Sequence, residues 1–312
     1  MSGETSTASV NKKKIGLALG VGTVRGFAHI GVLKALQEEN IPVDYLAGSS
    51  MGAIVAGMYS AGVPVEELER IAKSFHVGKV ANPSFKKSGL LDGEKIEKFL
   101  NKHIGHTSFD QLRIPLSVVC TDICTGDEII LADGSLKKAL RASASFPGLF
   151  SPMHYAGRIL VDGGLVNPVP ASVVAGMGAD IIIAVSVMRN VKQYIEYVLK
   201  KRNKHSFTQE HEKALSTANL IKLRKPSIVG LFRSLRKKTW TPNLVDILLQ
   251  TVYIAEERIA RSELLNVRVD ILITPDFGDV AMFEFSKTDE IIARGKKETE
   301  SKIPRLKELL EK

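Results

Sequence analysis

Ser50 stands in the stretch Gly48-Ser49-Ser50-Met51-Gly52, between a short apolar run, Val43 to Ala47, and a longer one, Ala53 to Tyr59. The first run reads as a buried strand and the second as an apolar helix. A G-x-S-x-G sequence at such a strand-to-helix turn lets the backbone crowd together and leaves the serine hydroxyl exposed. An exposed serine attacks when a base takes its proton and amide N–H groups receive the developing negative charge. The base is less obvious. Of the seven histidines, His29 lies in a helix beside apolar Ile30 and reads as a packed residue. His76, His103 and His106 fall in loops or at helix ends, His205 and His211 in a highly charged segment, and His154 just ahead of a strand; none has a partner pattern. Asp162 stands out instead, closing the strand Ile159-Leu160-Val161 and opening Asp162-Gly163-Gly164. Emerging at the carboxyl end of a strand, it is expected on the sheet edge where Ser50 also emerges and where open α/β sheets bind ligands. By itself Asp-Gly-Gly is a tight turn; the upstream serine makes it a candidate proton acceptor.

The elements that must carry these residues follow from hydrophobic periodicity. Lys14 to Leu19 reads as a strand entering the turn Gly20-Val21-Gly22-Thr23-Val24-Arg25-Gly26, followed by a helix with Ile30, Leu33 and Leu36 on one face. Asp44 to Ser49 is the second strand. Helical patterns cover Val65–Phe75 and Gly93–Ile104, the latter expected to be capped by Asp92. Pro115–Thr121 and Asp127–Ala132 read as strands around Thr125-Gly126, Ser135–Ala144 as a helix, and Arg158–Val161 as a strand. Pro168–Gly176 reads as helical and Ala179–Val187 as the most apolar strand. A helix over Asn243–Leu265, a strand over Val269–Ile273 and closing helices beyond Ser286 complete the pattern. Apolar strands alternating with helices predict a mostly parallel sheet covered on both faces.

With 312 residues, an apolar fraction of 44% and a charged fraction of 25%, the chain reads as a globular protein with a substantial core. No run approaches the ~20 apolar residues of a bilayer span, and residues 1–13 read as a polar, basic disordered tail rather than a secretory signal. Two cysteines, Cys120 and Cys124, make no disulfide framework and stand at no metal-ligand spacing; both are expected as buried thiols. No metal or cofactor is called for, and the expected location is cytoplasmic.

Four blocks together carry a resemblance. Leu17-Ala-Leu-Gly-Val-Gly-Thr-Val-Arg-Gly-Phe-Ala-His-Ile-Gly-Val-Leu33, Gly48 to Gly52, Arg141-Ala-Ser-Ala-Ser-Phe-Pro-Gly-Leu-Phe150 and Asp162-Gly-Gly164 resemble, in order and spacing, a patatin-like phospholipase. The resemblance implies an α/β fold of three layers, α/β/α, with a mostly parallel central sheet, over a catalytic core of residues 14–188 completed by residues 243–312. It implies a Ser-Asp dyad hydrolysing lipid acyl esters, of phospholipase A or lysophospholipase type, through an acyl-enzyme. Ser50 would be the nucleophile and Asp162 the proton acceptor. Backbone amides among Gly20, Val21, Gly22 and Thr23, with that of Met51, would form the oxyanion hole. Arg25, Gly26, Gly48, Gly52, Gly163 and Gly164 would support these turns. One departure matters: the family commonly carries a glycine run where Gly20-Val21-Gly22-Thr23 stands, and β-branched Val21 and Thr23 disfavour positive φ. Loss of one oxyanion donor raises a barrier by roughly 3–4 kcal/mol. The alternative is therefore a weak or inactive lipid-binding or regulatory protein of the same fold. A further alternative is a Ser-Asp-His triad using His205 or His211. A dinucleotide site is disfavoured because Arg25 occupies the third glycine position of G-x-G-x-x-G.

Residues 189–242 form a basic, partly apolar insertion. From Arg189 to Trp240 the chain has fourteen Lys/Arg against three Asp/Glu, more than its whole net charge of +9. Phe232 and Trp240 beside Arg233, Arg236, Lys237 and Lys238 suit a segment whose apolar groups dip into a bilayer while its cations meet anionic headgroups. The expected partners are a lipid substrate and an anionic membrane surface, on the inner face of the membrane, with no nucleic acid; the sequence is silent on oligomeric state.

Overall fold

The computed structural model describes residues 13–75, 82–83, 91–188, 244–278 and 280–311. The insertion, with Phe232, Arg233, Arg236, Lys237, Lys238 and Trp240, and also His76, His205 and His211, lies outside the described residues.

Strands β1 (Ile15–Leu19), β2 (Tyr45–Ser49), β5 (Leu116–Asp122), β9 (Ile181–Val185) and β10 (Ile271–Ile273) form a parallel sheet in the order β10-β9-β1-β2-β5. Three antiparallel strands extend it: β6 (Glu128–Leu131) and β8 (Arg158–Asp162) both pair with β5, and β7 (Met153–Tyr155) pairs with β8. A separate short ribbon joins β3 (Asn82–Pro83) and β4 (Leu91–Asp92). Pleating sends alternate residues of the central strands into two cores. Ile15, Leu17 and Leu19 of β1, with Ile181, Ile183 and Val185 of β9, pack under α1 (Ala28–Glu38), α2 (Met51–Ser60), α3 (Val65–Lys73), α4 (Glu94–Ile104) and α5 (Leu136–Ser143). Ala18, Ile182 and Ala184 face the other way, against α6 (Ala171–Gly176) and the long helix Leu244–Asn266. Burial on both faces is why these strands read as continuous apolar runs. The C-terminal helix Thr288–Glu300 crosses α1 at small residues: a Cβ on Gly31 would lie 2.0 Å from the Ile292 carbonyl, and one on Gly295 would lie 2.2 Å from that of Ala28.

Three local expectations are corrected. The first position before α4 is Gly93 rather than Asp92. Cys120 is a buried thiol, but Cys124 is exposed, because it sits in the turn after β5 rather than in the strand. The strand ending at Asp162 is antiparallel to β5, whereas the sequence reading assumed a strand parallel to β2. Its direction is set by the hairpin with β7, an unanticipated strand, turned by Ala156 and Gly157, both at positive φ (49° and 77°).

Candidate active site

The antiparallel direction of β8 still delivers Asp162 to the expected place, by a different route. β8 starts beyond the end of β5, with Leu160 opposite Asp122, and runs back until Asp162 lies opposite Cys120. In the same strand β5, Val119 is the partner of Ser49 in β2. Ser50 and Asp162 thus flank the carboxyl end of β5 at neighbouring register positions.

Each residue is fixed by its surroundings. Ser50 precedes α2 with φ 55° and ψ −122°, a left-handed conformation that a non-glycine residue adopts at a cost of roughly 1–3 kcal/mol. Close packing on both sides holds it there. A Cβ on Gly52 would lie 2.1 Å from the Leu19 carbonyl, and one on Gly48 would lie 2.5 Å from Ala53 Cα. The Ser50 amide donates to Ser143 Oγ (2.9 Å), which donates to the Val119 carbonyl (2.6 Å). Ser143 thus ties the elbow to β5, a role its position within the Arg141–Phe150 block did not disclose. Asp162 is fully buried. Its amide donates to the Ser145 carbonyl (3.1 Å), its carbonyl accepts from Thr121 Oγ1 (2.8 Å), and its Oδ1 accepts from the Gly164 amide (2.9 Å). Ser49 Oγ donates to the Asn167 carbonyl (2.7 Å), joining the turn after Asp162 to the end of β2.

Burial pushes the Asp162 carboxyl up from its ordinary 3.8 to about 7, against the opposing effects of the Ser50 hydroxyl and the Gly164 amide. A carboxylate in water is a poor base at neutral pH, and removal from solvent makes it a better one. The Ser50 hydroxyl acts on this carboxyl as a hydrogen-bond donor, while Oδ2 has no partner at full hydrogen-bond geometry.

In the glycine-rich turn, the amides of Gly20 and Val21 are already engaged, donating to the carbonyls of Val185 (3.0 Å) and Pro168 (2.9 Å). That removes both from the expected set of oxyanion donors. The amides of Gly22, Thr23 and Met51 have no acceptor among the described residues. Thr23 does adopt positive φ (47°), the conformation its β-branch disfavours, whereas Val21 does not. The single proton of Thr23 Oγ1 is within donating distance of two carbonyls, those of Gly22 (2.7 Å) and Met282 (2.8 Å), and a bond to either offsets part of the strain. Arg25 is buried and structural: Nε donates to the Val280 carbonyl (3.3 Å), Nη1 to Tyr253 Oη (3.0 Å), and the guanidinium lies 5.4 Å from the Tyr253 ring centre. His29 is fully buried, its Nε2 2.8 Å from the Gly20 carbonyl; burial lowers it to about 4, so it is a neutral donor bracing the turn.

Ser50 borders an apolar cavity of about 130 Å³, whose lining includes Phe27, Met51, Ile54, Phe75, Phe99, Phe146 and Phe285. Among the described residues that line it, two are polar, Ser50 and Thr23. Phe75 meets Phe27 and Phe99 edge-on at 5.7 Å each and Phe285 at 5.3 Å, giving one wall a fixed shape. No helix among the described residues is long and apolar enough to cross a membrane.

Sequence reasoning also missed Glu256 at this site. Glu256, on the long helix Leu244–Asn266, is 3% exposed and interacts electrostatically with Asp162. Its signal was available: Tyr253, Glu256 and Ala260 share one helical face, and a carboxylate among apolar positions at i, i+3 and i+7 is out of place.

Comparison with known proteins places this geometry in context. The family model described as patatin-like phospholipase matches residues 17–175, about half of the chain. An uncharacterized NTE family protein of Mycobacterium tuberculosis is 40% identical over 177 residues, covering 56% of this chain and 49% of the relative. Neuropathy target esterase of Drosophila melanogaster is 34% identical over 181 residues, covering 55% of this chain and 13% of that protein. The chain therefore spans about half the length, or less, of these curated relatives. The crystal structure of VipD from Legionella pneumophila matches 96% of this chain and 67% of its own with a TM-score of 0.54, at 13% identity, a likeness of fold.

Proposed function

The chain belongs to the patatin-like phospholipase family, and from that premise we propose that it is a serine-dependent hydrolase of lipid acyl esters, of phospholipase A or lysophospholipase type. In this reading Ser50 and Asp162 are the catalytic dyad. The observation that carries it is a strained, half-buried serine facing a fully buried carboxylate on one side and an apolar cavity on the other.

Asp162 takes the hydroxyl proton as Ser50 Oγ attacks the ester carbonyl, and the N–H groups of Gly22, Thr23 and Met51 receive the oxyanion. Collapse of the tetrahedral intermediate leaves an acyl-enzyme and transfers the proton to the departing alcohol. Water, deprotonated by Asp162, then releases the fatty acid by the same steps in reverse. The cavity beside Ser50 suits an acyl chain, the described residues along it offering no polar side chain to satisfy beyond Ser50 and Thr23. An anionic membrane surface, met by the basic segment of residues 189–242, would bring the site to its substrate.

The test is labelling by a fluorophosphonate probe together with release of fatty acid from a mixed lipid extract, read by mass spectrometry. The wild-type protein is expected to be labelled at Ser50 and to release fatty acid, and Ser50→Ala to do neither. Hydrolysis persisting in purified Ser50→Ala would overturn the reading. Vesicle binding without turnover of any acyl ester would replace it by the second one, a lipid-binding protein of this fold, for which the strained Thr23 is the motive.

A further inference from the structure

The mechanism above makes no use of the buried carboxyl of Glu256. Glu256 lies against Gly164, so close that a Cβ on Gly164 would sit 2.5 Å from its Oε1. Gly164 is the residue whose amide holds Asp162 Oδ1. Oε1 is buried without a hydrogen-bond partner, as is Asp162 Oδ2. Two carboxyl groups sharing one solvent-free site do not both ionise readily, and one of them keeps a proton. The surroundings choose which. Asp162 accepts from the Gly164 amide and faces the Ser50 hydroxyl, whereas Glu256 Oε1 accepts from no donor among the described residues and no hydrogen bond counters the effect of its burial.

Resting on the proposed dyad, we propose that Glu256 is a positioning residue of the same centre: it stays protonated, keeps the single negative charge on Asp162, and switches hydrolysis off when it ionises in alkaline solution. The other groups around it are accounted for. Arg25, from the glycine-rich turn, is directed at Tyr253 and the Val280 carbonyl. On its own helix, Glu257 pairs with Arg261 at 2.7 Å. Asp162 is the charge that acts on Glu256, adding to burial in pushing its carboxyl well above the ordinary range. Gly164 leaves the room for this carboxyl: any side chain there would displace it or break the turn that holds Asp162.

Two measurements test this. The first is the pH dependence of kcat/KM for a soluble ester, and of the rate of fluorophosphonate labelling, in the wild-type protein and in Glu256→Gln. The wild-type profile is expected to be bell-shaped. Glu256→Gln is expected to keep the acid limb set by Asp162 and to lose the alkaline limb, rising to a plateau. An unchanged alkaline limb in a variant with an unchanged melting curve overturns the inference. The second needs neither substitution nor activity: infrared spectra of wild-type protein at about pH 8, where ordinary carboxyl groups are ionised, with and without 13C-labelled glutamate. A protonated carboxyl band that shifts with the glutamate label supports Glu256; absence of any such band overturns it. Failure of the dyad reading is separate, being hydrolysis that survives in Ser50→Ala.

Discussion

Asp162→Asn should remove activity and yet make the protein more stable at neutral and alkaline pH. A carboxyl raised from 3.8 to about 7 by burial is protonated in the folded chain over a range where the unfolded chain has already released its proton. Below pH 3.8 both states are protonated and the group makes no difference. As pH rises from 3.8 to 7 the unfolded state binds fewer protons than the folded one, so stability falls; above 7 the loss is complete. At 1.36 kcal/mol for each pH unit, that interval amounts to about 4 kcal/mol, an upper bound because the buried site relaxes around the charge. Asparagine keeps the shape and the acceptor for the Gly164 amide while carrying no charge. Urea unfolding of wild type and Asp162→Asn at a series of pH values measures the difference. The curves should converge near pH 4 and separate by up to about 4 kcal/mol above pH 7. Labelling of Ser50 by fluorophosphonate should be lost in the variant at every pH. In wild type, kcat/KM should fall about tenfold for each pH unit below 7, as the base is titrated. A stability difference independent of pH, or wild-type activity that is flat down to pH 5, would refute the reasoning.

Three further outcomes follow from the same geometry. Thr23→Val keeps the β-branch at positive φ but deletes the hydroxyl bonded to the Met282 carbonyl, so stability should fall by about 1–3 kcal/mol; differential scanning calorimetry checks this, with kcat/KM expected to drop alongside. Ser143→Ala leaves the Ser50 amide without its acceptor, and should lower kcat more than it changes KM while destabilising the chain by about 1–3 kcal/mol; steady-state kinetics with a soluble ester separates the two. The full chain should sediment with phosphatidylserine vesicles and not with phosphatidylcholine vesicles, and raising salt from about 0.1 M to about 0.5 M should release it; equal binding to both vesicles would exclude an electrostatic surface.

Much of the fold was legible because its elements have one-dimensional signatures. β1, β2 and β9 are buried on both faces, so every residue is apolar or small and the strands appear as unbroken runs. Ser50 was legible because a serine between glycines, at the point where a strand pattern gives way to a helix pattern, has few other structural uses. What was not legible depends on partners distant in the chain. β7 is three residues long, too short for periodicity to mark. The direction of β8 depends on the hairpin it forms with β7, and so the register that brings Asp162 beside Ser50 could only be guessed.

The sequence by itself determined the chemistry on offer: a serine at a strained turn, an aspartate ending a strand, and a glycine-rich turn with two β-branched residues in it. These are local facts, carried by spacing and side-chain type. Tertiary structure alone decided which amides of that turn are free, because Gly20 and Val21 lose theirs to carbonyls more than 140 residues away. It also decided that Asp162 is withdrawn from solvent and that Glu256 lies within electrostatic reach of it. Solvent exclusion and charge proximity are properties of assembled surfaces, and no stretch of this chain carries them before β5, β8 and the long helix Leu244–Asn266 have packed together.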